Sequence, residues 1–146
     1  MKYICNNIDE TEKLAKKFSK SLKNGDCIML NGEIGAGKTT FTRLLLKNFG
    51  VKNKVVSPTF TIMNEYEGLK FRFYHFDLYR IEDSSEILEL GFEDYLKYNK
   101  NSNVKKGICL IEWGENIKNM LPKKHYVINI TKLGENEREI EILKTK

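Results

Sequence analysis

Residues 27–50 read Cys-Ile-Met-Leu-Asn-Gly-Glu-Ile-Gly-Ala-Gly-Lys-Thr-Thr-Phe-Thr-Arg-Leu-Leu-Leu-Lys-Asn-Phe-Gly. An apolar run, a glycine-rich loop and an amphipathic segment follow one another directly. Gly32, Gly37, Lys38 and Thr39 satisfy the pattern G-x-x-x-x-G-K-[ST] of a phosphate-binding loop. Glycine lets backbone N–H groups approach a polyanion without a clashing Cβ. The free amides and positive dipole end of the following helix favour phosphate at the same place. Lys38 would then reach the outer phosphates, and the Thr39 hydroxyl would ligate the magnesium ion that bridges them. The expected ligand is a nucleoside triphosphate; the plain alternative is a glycine-rich turn that binds nothing.

The flanks agree with this reading. Cys27 to Leu30 form a short strand at 27–31, and Phe41, Leu44, Leu45 and Phe49 recur at helical spacing over 38–49, with Gly50 as the stop. Upstream, 9–22 reads as a helix with Asp9 as N-cap, Glu12 three residues on, and Leu14, Ala15, Phe18 and Leu22 on one face. Downstream, extended segments at 60–66 and 70–77 flank Glu67-Gly68 as a hairpin. A helix over 84–90 is capped by Asp83 or Ser84 and ends at Gly91. A short helix at 92–98, a polar loop at 99–107, a buried strand at 108–112 and a helix at 115–120 before Pro122 come next. Strands near 125–132 and 138–143 close the chain across Gly134-Glu135-Asn136. A strand–loop–helix start with a later buried strand implies parallel pairing. The expected architecture is α/β, a three-layer P-loop NTPase fold with a mixed, mainly parallel central sheet and antiparallel hairpin additions.

Phosphoryl transfer needs an anion that holds Mg2+ or orients the attacking water. In open α/β sheets such a group belongs at the C-terminal end of a buried strand. Glu112 ends the run Ile108-Cys109-Leu110-Ile111, and Asp77 ends Phe71 to Phe76. Glu112 is the candidate metal ligand; Asp77 has a catalytic reading and a plain one, pairing with Arg80 or capping a turn. The loop Ser57-Pro58-Thr59-Phe60-Thr61 either senses the terminal phosphate, as switch loops do, or is an ordinary proline turn. His75 reads as a core or partly exposed histidine, and Trp113 as a packing indole that also suits an interface.

At 146 residues the chain reads as one domain, 1–146, able to bury roughly two thirds of its unfolded surface. Its 40% apolar content suits a globular core. No apolar run reaches membrane-spanning length, and Met1-Lys2-Tyr3-Ile4-Cys5-Asn6-Asn7 turns polar too soon for a secretory signal. Three scattered cysteines, Cys5, Cys27 and Cys109, argue for reduced, packed thiols and against disulfides or zinc, so a cytoplasmic location is expected. The net charge of +5 comes from lysines interspersed with glutamates, which fits a lysine-rich surface better than a nucleic-acid stripe.

Gly32–Thr40 with Phe41-Thr42-Arg43, then Ser57-Pro58-Thr59-Phe60, then Tyr74-His75-Phe76-Asp77-Leu78-Tyr79-Arg80, then Glu112-Trp113, in that order, resemble the TsaE (YjeE) family of small bacterial ATPases over essentially the whole chain. The resemblance implies ATP and Mg2+ on a P-loop fold, weak hydrolysis by the chain alone, and action with TsaB and TsaD in making threonylcarbamoyladenosine (t6A) in tRNA. TsaD performs the carbamoyl transfer in that scheme, and the ATPase resets or activates the complex, so tRNA is met indirectly. By position, Thr39 and Glu112 are similar to the Mg2+ ligands, and Gly35, Ala36, Gly37, Lys38, Thr39 and Thr40 to the phosphate cradle. Thr11 and Lys132 resemble further nucleotide contacts, and Asp77 an acid that positions water; Lys38, Asp77 and Glu112 are thus the catalytic candidates. The loop at 99–107 is the least family-like stretch.

The rival enzyme is a small-molecule P-loop kinase. Such kinases close a lid carrying several arginines over the transferring phosphate, whereas Arg43, Arg72, Arg80 and Arg138 are scattered. A GTPase is disfavoured because Asn53-Lys54-Val55-Val56, the nearest match to a guanine-reading Asn-Lys-x-Asp, lacks the acid. A nucleotide-gated binding module with incidental hydrolysis is the non-enzymatic alternative. Direct RNA binding through the basic surface predicts a steep salt dependence.

Overall fold

Seven strands among the described residues, β1 (Lys2–Cys5), β2 (Cys27–Asn31), β3 (Met63–Glu67), β4 (Arg72–Asp77), β5 (Ile108–Glu112), β6 (Tyr126–Lys132) and β7 (Arg138–Lys144), form one sheet in the order β1-β7-β6-β2-β5-β4-β3. The structure is a computed structural model that describes residues 1–97 and 100–145. The central strands β6, β2, β5 and β4 run parallel, with Met29 opposite Ile111 on one side and Val127 on the other. β1, β7 and β3 add antiparallel edges. Parallel strands covered on both faces read as continuous apolar runs, and β2 and β5 are buried along almost their whole length.

Helices α1 (Ile8–Ser19) and α2 (Lys38–Lys47) cover one face. Their Leu14, Phe18, Phe41 and Leu45 pack on Ile28, Leu30, Leu110 and Ile128. Helices α3 (Ser84–Leu90) and α4 (Glu93–Leu96), with a 3-10 turn over Glu115–Met120, cover the other. Ile87, Leu96 and Ile117 meet Met29, Phe76 and Ile111 there. Alternate residues of β2 thus serve two cores, giving the three layers expected. No helix among the described residues is long and apolar enough to cross a membrane.

Several boundaries differ from expectation for local reasons. Helix α1 is capped by Asn7, whose side chain accepts from the Glu10 N–H at 3.0 Å, while Glu10 Oε1 accepts from the Asn6 N–H at 2.8 Å. Asp9 therefore lies inside the first turn, where an acid suits the dipole. The helix stops at Ser19, and Leu22 is buried from the turn beyond it. Strand β3 starts at Met63, because a turn closes with the Ile62 N–H on the Pro58 carbonyl at 2.7 Å. Asp83 is the cap of α3, and Gly91 ends it in the left-handed region. The segment 115–120 is 3-10 with a kink at Ile117, and β1 is an edge strand that the sequence reading lacked. The predicted helix 92–98 is present as α4; its last residue, Tyr98, and the start of the 99–107 loop at Asn99 lie outside the described residues.

Candidate nucleotide-binding site

The loop leaving β2 passes so close to β6 that a Cβ on Gly32 would sit 2.7 Å from the Ile130 carbonyl oxygen. Gly37, at φ +110°, turns the chain into α2 from the left-handed region, which a side chain would strain. Gly37 offers no capping side chain and the first turn of α2 carries no acid, so its leading amides are not engaged by a side-chain cap. Such amides form an anion site. Lys38 is buried; its ammonium donates to the Gly32 carbonyl and lies 4.3 Å from the centroid of the Trp113 ring. Trp113 adopts φ +58°, rare for a bulky residue, and its indole meets the Tyr79 ring edge-on at 5.1 Å.

The two acids stand side by side because β4 and β5 are parallel with Asp77 opposite Glu112. Glu112 is 3% exposed, and its Oε2 lies 2.6 Å from His75 Nε2. Asp77 Oδ2 accepts from the Thr59 hydroxyl at 2.9 Å and the Ser57 hydroxyl at 3.3 Å, and its Oδ1 accepts from the Tyr79 N–H at 3.0 Å. Of the plain readings of Asp77, turn capping holds alongside its place in the site, whereas Arg80 lies over the Phe60 ring instead. The Ser57–Thr61 loop is thus fastened to the end of β4.

These groups line one cavity of about 460 Å3, with Gly35, Gly37, Lys38, Thr39, Thr40, Asp77 and Glu112 on its wall. A second cavity of about 210 Å3 adjoins it, lined by Thr11, Ala36, Phe41, Ile130, Asn136 and Ile140. Gly37, Thr40 and Arg138 border both. The first holds the lysine and the two acids and the second is walled in part by Phe41, Ile130 and Ile140, which suits a ligand with a charged tail and a flat organic head. Lys132 lines a third cavity with Gly32, Glu33 and Ile34; it shares Ala36 and Ile130 with the second, but Thr11 does not line it.

The donor set fits magnesium. Glu112 and Thr39 offer a carboxylate and a hydroxyl oxygen, and Mg2+ is commonly held by one or two carboxylates plus substrate phosphates. Among the described residues no group of three or more His, Cys, Asp or Glu gathers into a metal cage. The cysteines are buried and free, as expected, with burial pushing the Cys27 thiol up to about 12.

Two contacts at the site are not legible in the sequence, those of Arg138 and His75. Arg138 donates from Nε to the Ala36 carbonyl at 2.8 Å and from the same guanidinium to the carbonyls of Gly134 and Glu137 at 3.0 Å, tying the β6–β7 turn to the loop. His75 is buried as read, but its contact with Glu112 was not foreseen. Alternation puts His75 and Asp77 on one face of β4, a usable signal; the register that sets Glu112 beside them is not local information.

The sequence profile of the family described as "Threonylcarbamoyl adenosine biosynthesis protein TsaE" matches residues 5–140. A tRNA threonylcarbamoyladenosine biosynthesis protein TsaE from Rickettsia felis is 43% identical over 141 residues, which cover 96% of this chain and 78% of that protein. The protein of the same description from Bacillus subtilis is 40% identical over 140 residues, covering 96% and 83%. The crystal structure of YdiB from Bacillus subtilis superposes with a TM-score of 0.77 at 34% identity, covering 99% of this chain and 84% of that one.

Proposed function

Because this chain belongs to the TsaE family, whose role lies in t6A biosynthesis, we propose that it is a Mg2+-dependent ATPase, a single domain over 1–146, that acts with TsaB and TsaD. Its ATP cycle resets or activates the carbamoyltransferase complex, and the chain meets tRNA through that complex. The observation that carries this reading is the adjoining pair of cavities bordered alike by Gly37, Thr40 and Arg138, with the glycine loop on one side and Asp77 and Glu112 in register on the other.

In this reading the amides of Gly35 to Thr40 and the Lys38 ammonium hold the phosphates, and Thr11 borders the cavity that takes the nucleoside. Thr39 and Glu112 hold Mg2+, which supplies charge neutralisation as the terminal phosphoryl leaves. Asp77 orients the attacking water, and its hydrogen bonds to Ser57 and Thr59 let that loop respond to the terminal phosphate. Lys132 reaches the ligand only from the neighbouring cavity.

The test is ATP hydrolysis and co-elution of the purified chain with TsaB and TsaD, with and without Mg2+ and ATP. Slow turnover alone, faster turnover in the complex and nucleotide-dependent co-elution are expected. ATP consumption in step with a phosphorylated small acceptor would instead establish a kinase, and calorimetry without heat on addition of Mg·ATP removes the reading altogether.

A further inference from the structure

We propose that His75 is a positioning residue: it fixes one carboxylate oxygen of Glu112 and so presents the other to the phosphate cavity as a ligand for a divalent cation. This rests on the reading of Glu112 as that cation's ligand.

His75 has no solvent exposure, and its ring makes one polar contact among the described residues, Nε2 to Glu112 Oε2 at 2.6 Å. Its Nδ1 is buried without a hydrogen-bond partner. A proton on Nδ1 would be left unpaired, so the tautomer that wastes no N–H carries it on Nε2 and donates to the carboxylate. A histidine kept only for packing is a poor choice here. An apolar side chain of similar volume would fill the slot without a bare buried nitrogen, but it would strip the buried Glu112 oxygen of its partner, and an acceptor left unsatisfied in the interior is costly. The imidazole therefore answers to Glu112.

The strand register supplies the geometry. His75 lies opposite Leu110 and Asp77 opposite Glu112, so the ring reaches one residue pair along the shared face to meet the carboxylate. Glu112 has a flexible side chain at a strand end, and its Oε1 accepts no hydrogen bond from the described residues while the residue borders the phosphate cavity. Holding Oε2 removes the freedom that would let both oxygens turn away. Outer partners of this kind are typically worth about 10- to 100-fold in metal affinity.

The experiment titrates Mn2+ into the full chain with ADP, followed by electron paramagnetic resonance, and measures ADP affinity separately in EDTA. His75→Leu should weaken Mn2+ about 10- to 100-fold and leave metal-free ADP affinity within about twofold. His75→Gln, which keeps an N–H at about the reach of Nε2, should recover most of the loss. If the leucine variant does not fold, His75→Asn, whose amide stops short of Glu112, takes its place with the same expectation. A folded leucine or asparagine variant with wild-type Mn2+ affinity, or a glutamine variant as weak as they are, overturns the proposal. Glu112→Gln separates the two levels. Loss of Mn2+ in Glu112→Gln but not in His75→Leu sinks the positioning role alone, whereas wild-type Mn2+ affinity in Glu112→Gln removes the ligand reading and this proposal with it.

Discussion

Lys38 carries its charge into a 7% exposed position, with a carbonyl and an indole face for partners and no ion pair among the described residues. A buried cation without a counter-ion is costly, and an arriving phosphate removes that cost. Lys38→Met should therefore weaken ATP binding roughly 10- to 100-fold, from the loss of charge-assisted bonds. The same variant should melt no earlier than wild type, since it deletes an unpaired charge. Calorimetry and thermal melts of that variant check both halves, and a large drop in melting temperature contradicts the argument. Asp77 is the second test. Its carboxylate accepts from two hydroxyls on one oxygen and from the Tyr79 N–H on the other, and asparagine, with one acceptor oxygen, cannot serve both sides. Asp77→Asn should bind Mg·ATP within about tenfold of wild type, lose most hydrolysis and expose the Ser57–Thr61 loop to faster hydrogen exchange; unchanged exchange there dissociates the loop from the acid. The residues that the sequence disclosed were those set by short spacing, Lys38 and Thr39 in the motif and Glu112 and Asp77 at strand ends. Arg138 and His75 were not legible as contacts, because their partners lie 102 and 37 residues away.

Among the elements, α1 shows where pattern reading loses its grip. Its apolar face was plain, but Asn7 and Asp9 are both competent caps with a glutamate three residues on, and propensity does not choose between them. Packing decides: starting at Ile8 brings Thr11 to the cavity wall and Leu14, Ala15 and Phe18 to the core. Asn7→Ala should cost about 1 kcal/mol and lower the melting temperature by a few degrees, with a smaller loss for Asp9→Ala. A larger loss for Asp9→Ala would return the cap to Asp9. Strand β1 was missed for a different reason. It has four residues with one fully buried side chain, Cys5, so no period is visible, and it exists because β7 offers an unpaired edge. Strands β2 and β5 were legible because burial on both faces leaves a run of apolar residues closed by a polar one.

At the scale of the whole molecule, sheet order is what the sequence withholds, since hydrophobic runs mark strands without saying which are neighbours. One consequence of that order is that Cys27 and Cys109 lie directly opposite one another on adjacent parallel strands, facing the same core. Burial, with Asp26 adding to it, pushes the Cys27 thiol up to about 12 from an ordinary 9.0, and burial raises Cys109 as well. Tyr74 in the same core is likewise raised to about 12 from 10.0, chiefly by burial. A raised folded-state value means that the native state holds its proton more tightly than the unfolded chain does. The linked stability is fully present below pH 9, declines once unfolded thiols ionise, and is lost as the pH climbs towards 12. Urea midpoints should therefore fall progressively above pH 9, with Tyr74 adding to the slope above pH 10. Cys27→Ala removes one linked group, so its midpoint should start lower, because of the cavity left behind, and then fall less steeply than wild type between pH 9 and 11. Labelling of Cys27 and Cys109 by a thiol reagent at pH 8, resolved from Cys5 by peptide mapping, should wait on unfolding, because the thiolate is the reactive form and burial holds both of these thiols protonated. Midpoints of the two proteins that run parallel across this range would mean that the sheet leaves Cys27 free to ionise, and the dry packing of this second core would be disproved.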